Sequence, residues 1–148
     1  MVELIPRTGF GDILLGMHEP DVLRVLGEPD SKEVQNESSP SGDTHSWVYE
    51  GIGVELDFDE DIQYRLARIT VYSSDAILLG SKPIGLSESA LTTAYPHARL
   101  DWAAGTLKDF GDPDTDVSLM LEEGRVVNVT LYPKYDEAGN NPQWPKAR

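Results

Sequence analysis

The stretch from Gly53 to Asp61 reads GVELDFDED, with Val54, Leu56 and Phe58 alternating against Glu55, Asp57 and Asp59. A period of two places the apolar side chains on one face of a strand and the acids on the other, wet face. RLARITVYS (65–73) keeps the period, with Ala67, Ile69 and Val71 inward and Arg68, Thr70 and Tyr72 outward. WVYE (47–50) supplies a further strand, and Gly51 and Gly53 punctuate a tight turn between it and GVELDFDED. Nearer the N-terminus the period changes. In LLGMHEPDVLRVLGEPD (14–30), Val22, Leu23, Val25 and Leu26 form a helical stripe. His18 or Met17 stands at its cap, Glu19, Pro20 and Asp21 fill its first turn, and Gly27 with Pro29 stops it. The polar run 31–46, rich in Ser, Asp and Gly, reads as a loop. The expected unit is one helix and a three-stranded meander.

The pattern then recurs in the same order. Leu15-Gly16-Met17, Asp21-Val22 and Leu26 correspond to Ile84-Gly85-Leu86, Ala90-Leu91 and Tyr95 at a constant offset of 69. Val54, Leu56 and Phe58 correspond to Val117, Leu119 and Leu121 at an offset of 63, and Ile69–Tyr72 to Val129–Tyr132 at 60. Three ordered blocks predict a duplicated unit. The expected fold is α+β: a single domain over 1–148 made of two similar halves, about 11–74 and 80–133. Each half is a short helix or two packed on an antiparallel meander, with the two sheets free to join into one. Residues 75–83 link the halves, and the tail 134–148 is expected to be flexible or extended and pinned by Trp144.

Charge narrows the function classes. Twelve Lys and Arg against 26 Asp and Glu give a formal net charge of −14 and a pI near 4.4. Such a field repels phosphate backbones and anionic membranes and speeds encounter with a basic protein. The reading is no nucleic acid, no membrane, and a basic protein partner. With no cysteine, neither a disulfide nor a thiolate metal site can form. MVELIPRTGFGD lacks a basic region followed by a long apolar run, and a cytoplasmic location is expected.

On the residues just quoted, LLGMHEPDVLRVLGEPD resembles the element "glycine, small turn, helix, leucine-glycine-x-proline" of the SmpA/OmlA outer-membrane assembly lipoprotein family. Two such units in tandem are similar to the architecture of β-lactamase inhibitory proteins. The resemblance implies a fold whose sheet face binds other proteins. The lipid-attachment cysteine and the disulfide are missing, and the second unit has Tyr95-Pro96 where the first has Leu26-Gly27. Membrane anchoring and β-lactamase inhibition are therefore not implied.

Motifs for catalysis are sparse. His18, His45 and His97 sit in a cap, a loop and a turn, and no serine stands in a Gly-x-Ser-x-Gly elbow. DPDTDVSLMLEE puts Asp112, Asp114, Asp116 and Glu123 at positions 1, 3, 5 and 12 of a calcium loop. Val117 occupies the position that needs glycine, and a strand pattern follows where a helix is required, which leaves these four as a weak metal candidate. Glu55, Asp57 and Asp59 repeat at about 6.5–7 Å along one strand face. That spacing suits a metal-dependent hydrolase only if an apolar pocket raises one carboxyl above the others. The leading expectation is instead a non-enzymatic immunity or inhibitor protein without cofactor, which occludes a basic toxin-like partner. Its partner-binding residues are Glu55, Asp57 and Asp59 as charges, with Trp47, Tyr72, Tyr132, Met120 and Glu122 around them. An assembly or scaffold module of the same fold is the alternative.

Overall fold

A computed structural model describes residues 2–36 and 42–146. Eight strands make one antiparallel sheet: β1 (Ser31–Gln35), β2 (Thr44–Tyr49), β3 (Val54–Asp59), β4 (Arg65–Val71), β5 (Arg99–Ala104), β6 (Leu107–Asp112), β7 (Val117–Glu122) and β8 (Arg125–Leu131). Their order across the sheet is β1-β2-β3-β4-β8-β7-β6-β5. Each set of four is a meander, and the two meanders meet where β4 pairs with β8 through Ile69–Leu131, Thr70–Thr130 and Val71–Val129. Two helices, α1 (Glu19–Leu26) and α2 (Glu88–Ala94), complete an α+β chain dominated by sheet. None of the described helices is long and apolar enough to cross a membrane.

The alternating patterns dictate which face is covered. Val54, Leu56 and Phe58 of β3, Ile69 and Val71 of β4, and Val117, Leu119 and Leu121 of β7 are all buried in one apolar cluster. Val22 of α1 and Leu91 of α2 belong to it and have no exposed surface. Each helix is entered through a glycine at φ +92°, Gly16 and Gly85. Gly16 N–H donates to the Leu66 carbonyl at 2.9 Å and Gly85 N–H to the Val126 carbonyl at 2.8 Å. Leu66 N–H and Val126 N–H answer to the Met17 and Leu86 carbonyls at 2.7 and 2.9 Å. These paired bonds clamp each helix entry to a sheet strand, and a side chain at either glycine would need a backbone conformation that L residues rarely adopt. His18 is the cap of α1, without a side-chain cap bond, whereas Ser87 Oγ caps α2 by accepting from Ala90 N–H at 3.2 Å.

Three departures from the sequence reading have physical causes. The first meander has four strands, because β1 and the start of β2 lie in the run 31–46 that reads as a loop. All five β1 residues are exposed, so burial imposes no alternation on them; residues 37–41 of that run lie outside the described part. For the same reason the exposed edge strand β5 carries little strand signal, and β6 beside it, half-buried with Phe110 as its one buried apolar side chain, carries little more. In the tail, Lys134–Tyr135 pairs with Pro142–Gln143. Trp144 packs on the core, its ring so close to Gly16 that a Cβ there would lie 2.7 Å from it, and the Arg65 guanidinium stacks over the ring at 4.7 Å. Residues 147–148 are not described.

Phe58 is among the largest side chains with no exposed surface. Phe58→Ala is expected to cost about 3–5 kcal/mol in urea unfolding, through lost transfer energy and the cavity left behind. Val34→Ala, on the exposed edge strand at 58% exposure, is expected to stay within about 0.5 kcal/mol of wild type.

Candidate functional site

The helices cover one face of the sheet, and the strand period delivers polar groups to the other. Register carries Ser46 of β2, Asp57 of β3 and Arg68 of β4 into one row, since Ser46 opposes Asp57 and Asp57 opposes Arg68. A register shift between Asp57 and Phe58 skips Ala67 on β4. Such a bulge increases the local twist, and Arg68 reaches two carboxylates that stand two residues apart on β3. Arg68 Nη1 and Nη2 donate to Asp59 Oδ2 and Oδ1 at 2.7 and 2.9 Å, while Nε lies 3.4 Å from Asp57 Oδ2. Thr44 Oγ1 donates to Asp59 and Ser46 Oγ to Asp57, each at 2.8 Å.

The row continues past the junction of the two meanders. Thr70 and Thr130 hydroxyls meet at 3.1 Å across it. Tyr132 follows the end of β8, and its phenol is pushed up chiefly by burial, with the Arg68 charge and a hydrogen bond involving Ser118 acting the other way. Ser118 Oγ in turn donates to Asp109 Oδ1 at 2.7 Å. A polar chain therefore spans the sheet from β2 to β6. At its far end opens a cleft of about 460 Å³, lined among others by Asp101, Asp109, Gly111, Tyr132 and Tyr135.

The carboxylates of the row differ because their partners differ. Burial alone would raise Asp59, but the two Arg68 bonds and the Thr44 hydroxyl outweigh it and hold the group below the ordinary carboxylate range. Asp57 is raised, burial being the largest influence, and the single longer Arg68 contact and Ser46 do not overcome it. Glu55 is raised by burial first, then by the charges of Asp57 and Glu33. On Arg68 burial acts against the charge, and the bonds to Asp59 with the Asp59 and Asp57 charges more than offset it, so the guanidinium is held protonated.

Most of the expected partner-binding residues do share this face. Glu55, Asp57 and Asp59 stand on β3, with Tyr72 just past β4 and 40% exposed. Met120 and Glu122 are on β7, half-buried and exposed respectively, and Tyr132 is half-buried. Two assignments are corrected. Trp47 opposes Leu56, so it points into the core, is 3% exposed and packs on Phe58 at 4.8 Å between ring centres. It is not a surface anchor. Asp59 is 5% exposed and committed to Arg68, so it is not a free charge for a partner.

The calcium pattern is not brought together either. Asp112 Oδ1 accepts from Asp114 N–H in a turn, and Asp116 pairs with Arg7 at 2.7 Å. Glu123 follows the far end of β7, roughly 20 Å from that turn at about 3.3 Å per residue. Among the described residues no group of three or more acidic or histidine side chains is placed to hold a metal ion. Sequence reasoning missed the Arg68 clamp, Asp101, Asp109 and Tyr135. The outward position of Arg68 was readable, but its partners depend on the bulge, and the other three lie on strands or tail segments with weak patterns.

No family model and no curated protein sequence matches the chain. Among solved structures, the chain is similar to the uncharacterized protein YfeY from Escherichia coli. That match has a TM-score of 0.58 and 14% identity over 87% of this chain and 99% of that one. A second similarity is to an extracellular protein containing a SCP domain from Bacillus anthracis, at a TM-score of 0.48 and 16% identity over 88% of this chain and 48% of that one. At such identities the YfeY likeness is one of fold alone, and the second is too low to carry an argument. Neither description names the SmpA/OmlA family or a β-lactamase inhibitor.

The opposite directions of Asp59 and Glu55 make opposite predictions. Asp59, depressed in the folded state, adds stability that is present above the unfolded carboxylate pKa of about 3.9 and lost as pH falls through the folded value. Asp59→Asn is expected to cost about 1.5–3 kcal/mol at pH 7 by leaving Arg68 without its main partner, and the cost should vanish in acid. Glu55, raised in the folded state, is destabilising once pH exceeds its unfolded value of about 4.3 and increasingly so up to the folded value. Glu55→Gln is expected to raise Tm at pH 7 and to leave it unchanged near pH 3; thermal scans of both variants across pH check the two signs.

Proposed function

We propose that this chain is a non-enzymatic, cytoplasmic protein-binding module of the immunity or inhibitor type, which lays the open face of its sheet over a basic, toxin-like protein. The observation that carries the reading is the contrast between the two faces. One is buried under the helices together with side chains of 2–15 and 76–78, while the other leaves Glu55, Asp57, Tyr72, Met120 and Glu122 at least partly open to solvent. Aromatic and methionine side chains among carboxylates suit a protein interface, where rigid amphipathic groups supply contact area and charge steers encounter. The net charge of −14 selects a basic partner. Occlusion follows from charge alone: the carboxylates of Glu55 and Asp57 take the place that phosphates occupy on a basic active site. Asp59 and Arg68 act behind them, holding β3 and β4 in register.

The same reading includes a duplication. In its favour, the helix starts Glu19 and Glu88 keep the offset of 69 and the starts of β3 and β7 keep 63, and the sheet order places corresponding strands symmetrically about the β4–β8 junction. The resemblance to tandem inhibitory proteins points the same way. A duplicated unit yields one broad face with acidic groups on both sides of its midline.

Co-expression with the protein encoded in the adjacent reading frame, followed by pull-down from about 50 to about 500 mM NaCl, tests the proposal, because screening over that range weakens surface charge pairs. Retention at low salt, falling about tenfold or more at high salt and about tenfold in Glu55→Gln/Asp57→Asn, is expected. Binding indifferent to both salt and the two substitutions would contradict the occlusion mechanism.

A further inference from the structure

The cleft at the β6 end of the polar row is built differently from the rest of the face. Eleven of the thirteen glycines have positive φ, which by itself accounts for glycine at those positions. Gly51 and Gly111 do not, and a Cβ on Gly51 would meet nothing. A Cβ on Gly111 would overlap Asp101 Oδ2. The Asp101 carboxylate lies in the room left by the missing Gly111 side chain, and a Cβ there would push that exposed side chain aside. The register shift between Asp109 and Phe110, which leaves Asp101 as the extra residue of β5, turns that carboxylate over the strand.

Of the carboxylates lining the recess, Asp116 is paired with Arg7 at 2.7 Å, whereas Asp101 and Asp109 have no such partner among the described residues. Among the described residues no Lys, Arg or His lies within ion-pair distance of Asp101 or Asp109. Asp109 accepts from the neutral Ser118 hydroxyl at one oxygen. Arg99, which also lines the cleft, is turned to the preceding loop, where it donates to the Pro96 and Ala98 carbonyls at 2.8 and 3.0 Å. Two phenols, Tyr132 and Tyr135, line the same space. Carboxylates without counterions beside aromatic rings attract a planar cation, which can bond to the acids at its edge and stack by its face.

We infer that this cleft is the pocket for one arginine side chain of the basic protein partner, its guanidinium bonded to Asp101 and Asp109 and flanked by Tyr132 and Tyr135. The inference rests on the basic-partner reading and adds an anchor to it. Glu55 and Asp57 steer at long range, and the cleft fixes where one cation seats. Arginine fits better than lysine because an ammonium has neither the planar face nor the fork of donors.

Octa-arginine, octa-lysine and spermine, each titrated into the full chain at low salt with amide chemical shifts as the readout, separate the outcomes. The expected result is saturable octa-arginine binding that moves the Gly111 and Ser118 amides. It should be about tenfold weaker in Asp101→Asn/Asp109→Asn and in Gly111→Ala, with all variants still folded by their spectra. Octa-lysine should bind more weakly than octa-arginine. Spermine binding as tightly as octa-arginine would overturn the assignment to a protein side chain. No saturable binding, or wild-type binding by Asp101→Asn/Asp109→Asn, would overturn the pocket. If the peptide instead shifts the β3 amides and is lost in Glu55→Gln/Asp57→Asn, the open-face reading stands while the pocket falls; failure of the pull-down would remove the open-face reading itself.

Discussion

One guanidinium organises the uncovered face. An eight-stranded sheet with helices on one side must leave its other side stable in water, and here that side carries carboxylates on alternate positions of β3. Arg68 is driven among them by the strand period and the bulge at Asp57, and it bonds Asp59 through both terminal nitrogens. A bidentate pair of this kind is directional as well as attractive. It ties β3 to β4 at the level where β4 turns to its other neighbour, β8, so the clamp and the Thr70–Thr130 contact stand side by side at the seam of the sheet. Without a cation there, Asp57 and Asp59 would face each other partly desolvated, a state that carboxylates escape by taking up protons.

The clamp also divides the acids by role. Asp59 is spent on structure, below the surface and held charged. Glu55 and Asp57 remain near the surface with raised proton affinity, which means that they gain from any cation brought to them more than a well-solvated carboxylate would. In the proposed binding role this division would favour positive charge, since part of the desolvation that binding requires has already occurred in the fold. The cleft beyond Ser118 adds two further carboxylates and two phenols, with Asp101 lying in the room beside Gly111.

How much of this was legible in the chain depends on burial. Val54, Leu56, Phe58, Val117, Leu119 and Leu121 announce their strands because one face of each is dry, and α1 announces itself by Val22, its punctuating Gly27 and Pro29. Ser31–Gln35 and Arg99–Ala104 are edge strands wet along their whole length, so no period is imposed and none is read. Trp47 was misplaced because a large aromatic at the start of a short run fits either face, and only its register with Leu56 decides. The outward set on β3 and β4 was readable. Its wiring was not, because skipping Ala67 shifts which acids Arg68 meets, and a one-residue bulge leaves no mark in an alternating pattern.

The central claim is that Arg68 and Asp59 are energetically coupled at the seam of the open face, and a double-mutant cycle measures that coupling without assuming the value of either side chain alone. Arg68→Met, Asp59→Asn and the double variant, unfolded in urea at pH 7, should give a coupling free energy of about 1.5 kcal/mol or more in favour of the pair. Additive losses, with a coupling near zero, would show that the two strands hold their register without the clamp and would contradict the account.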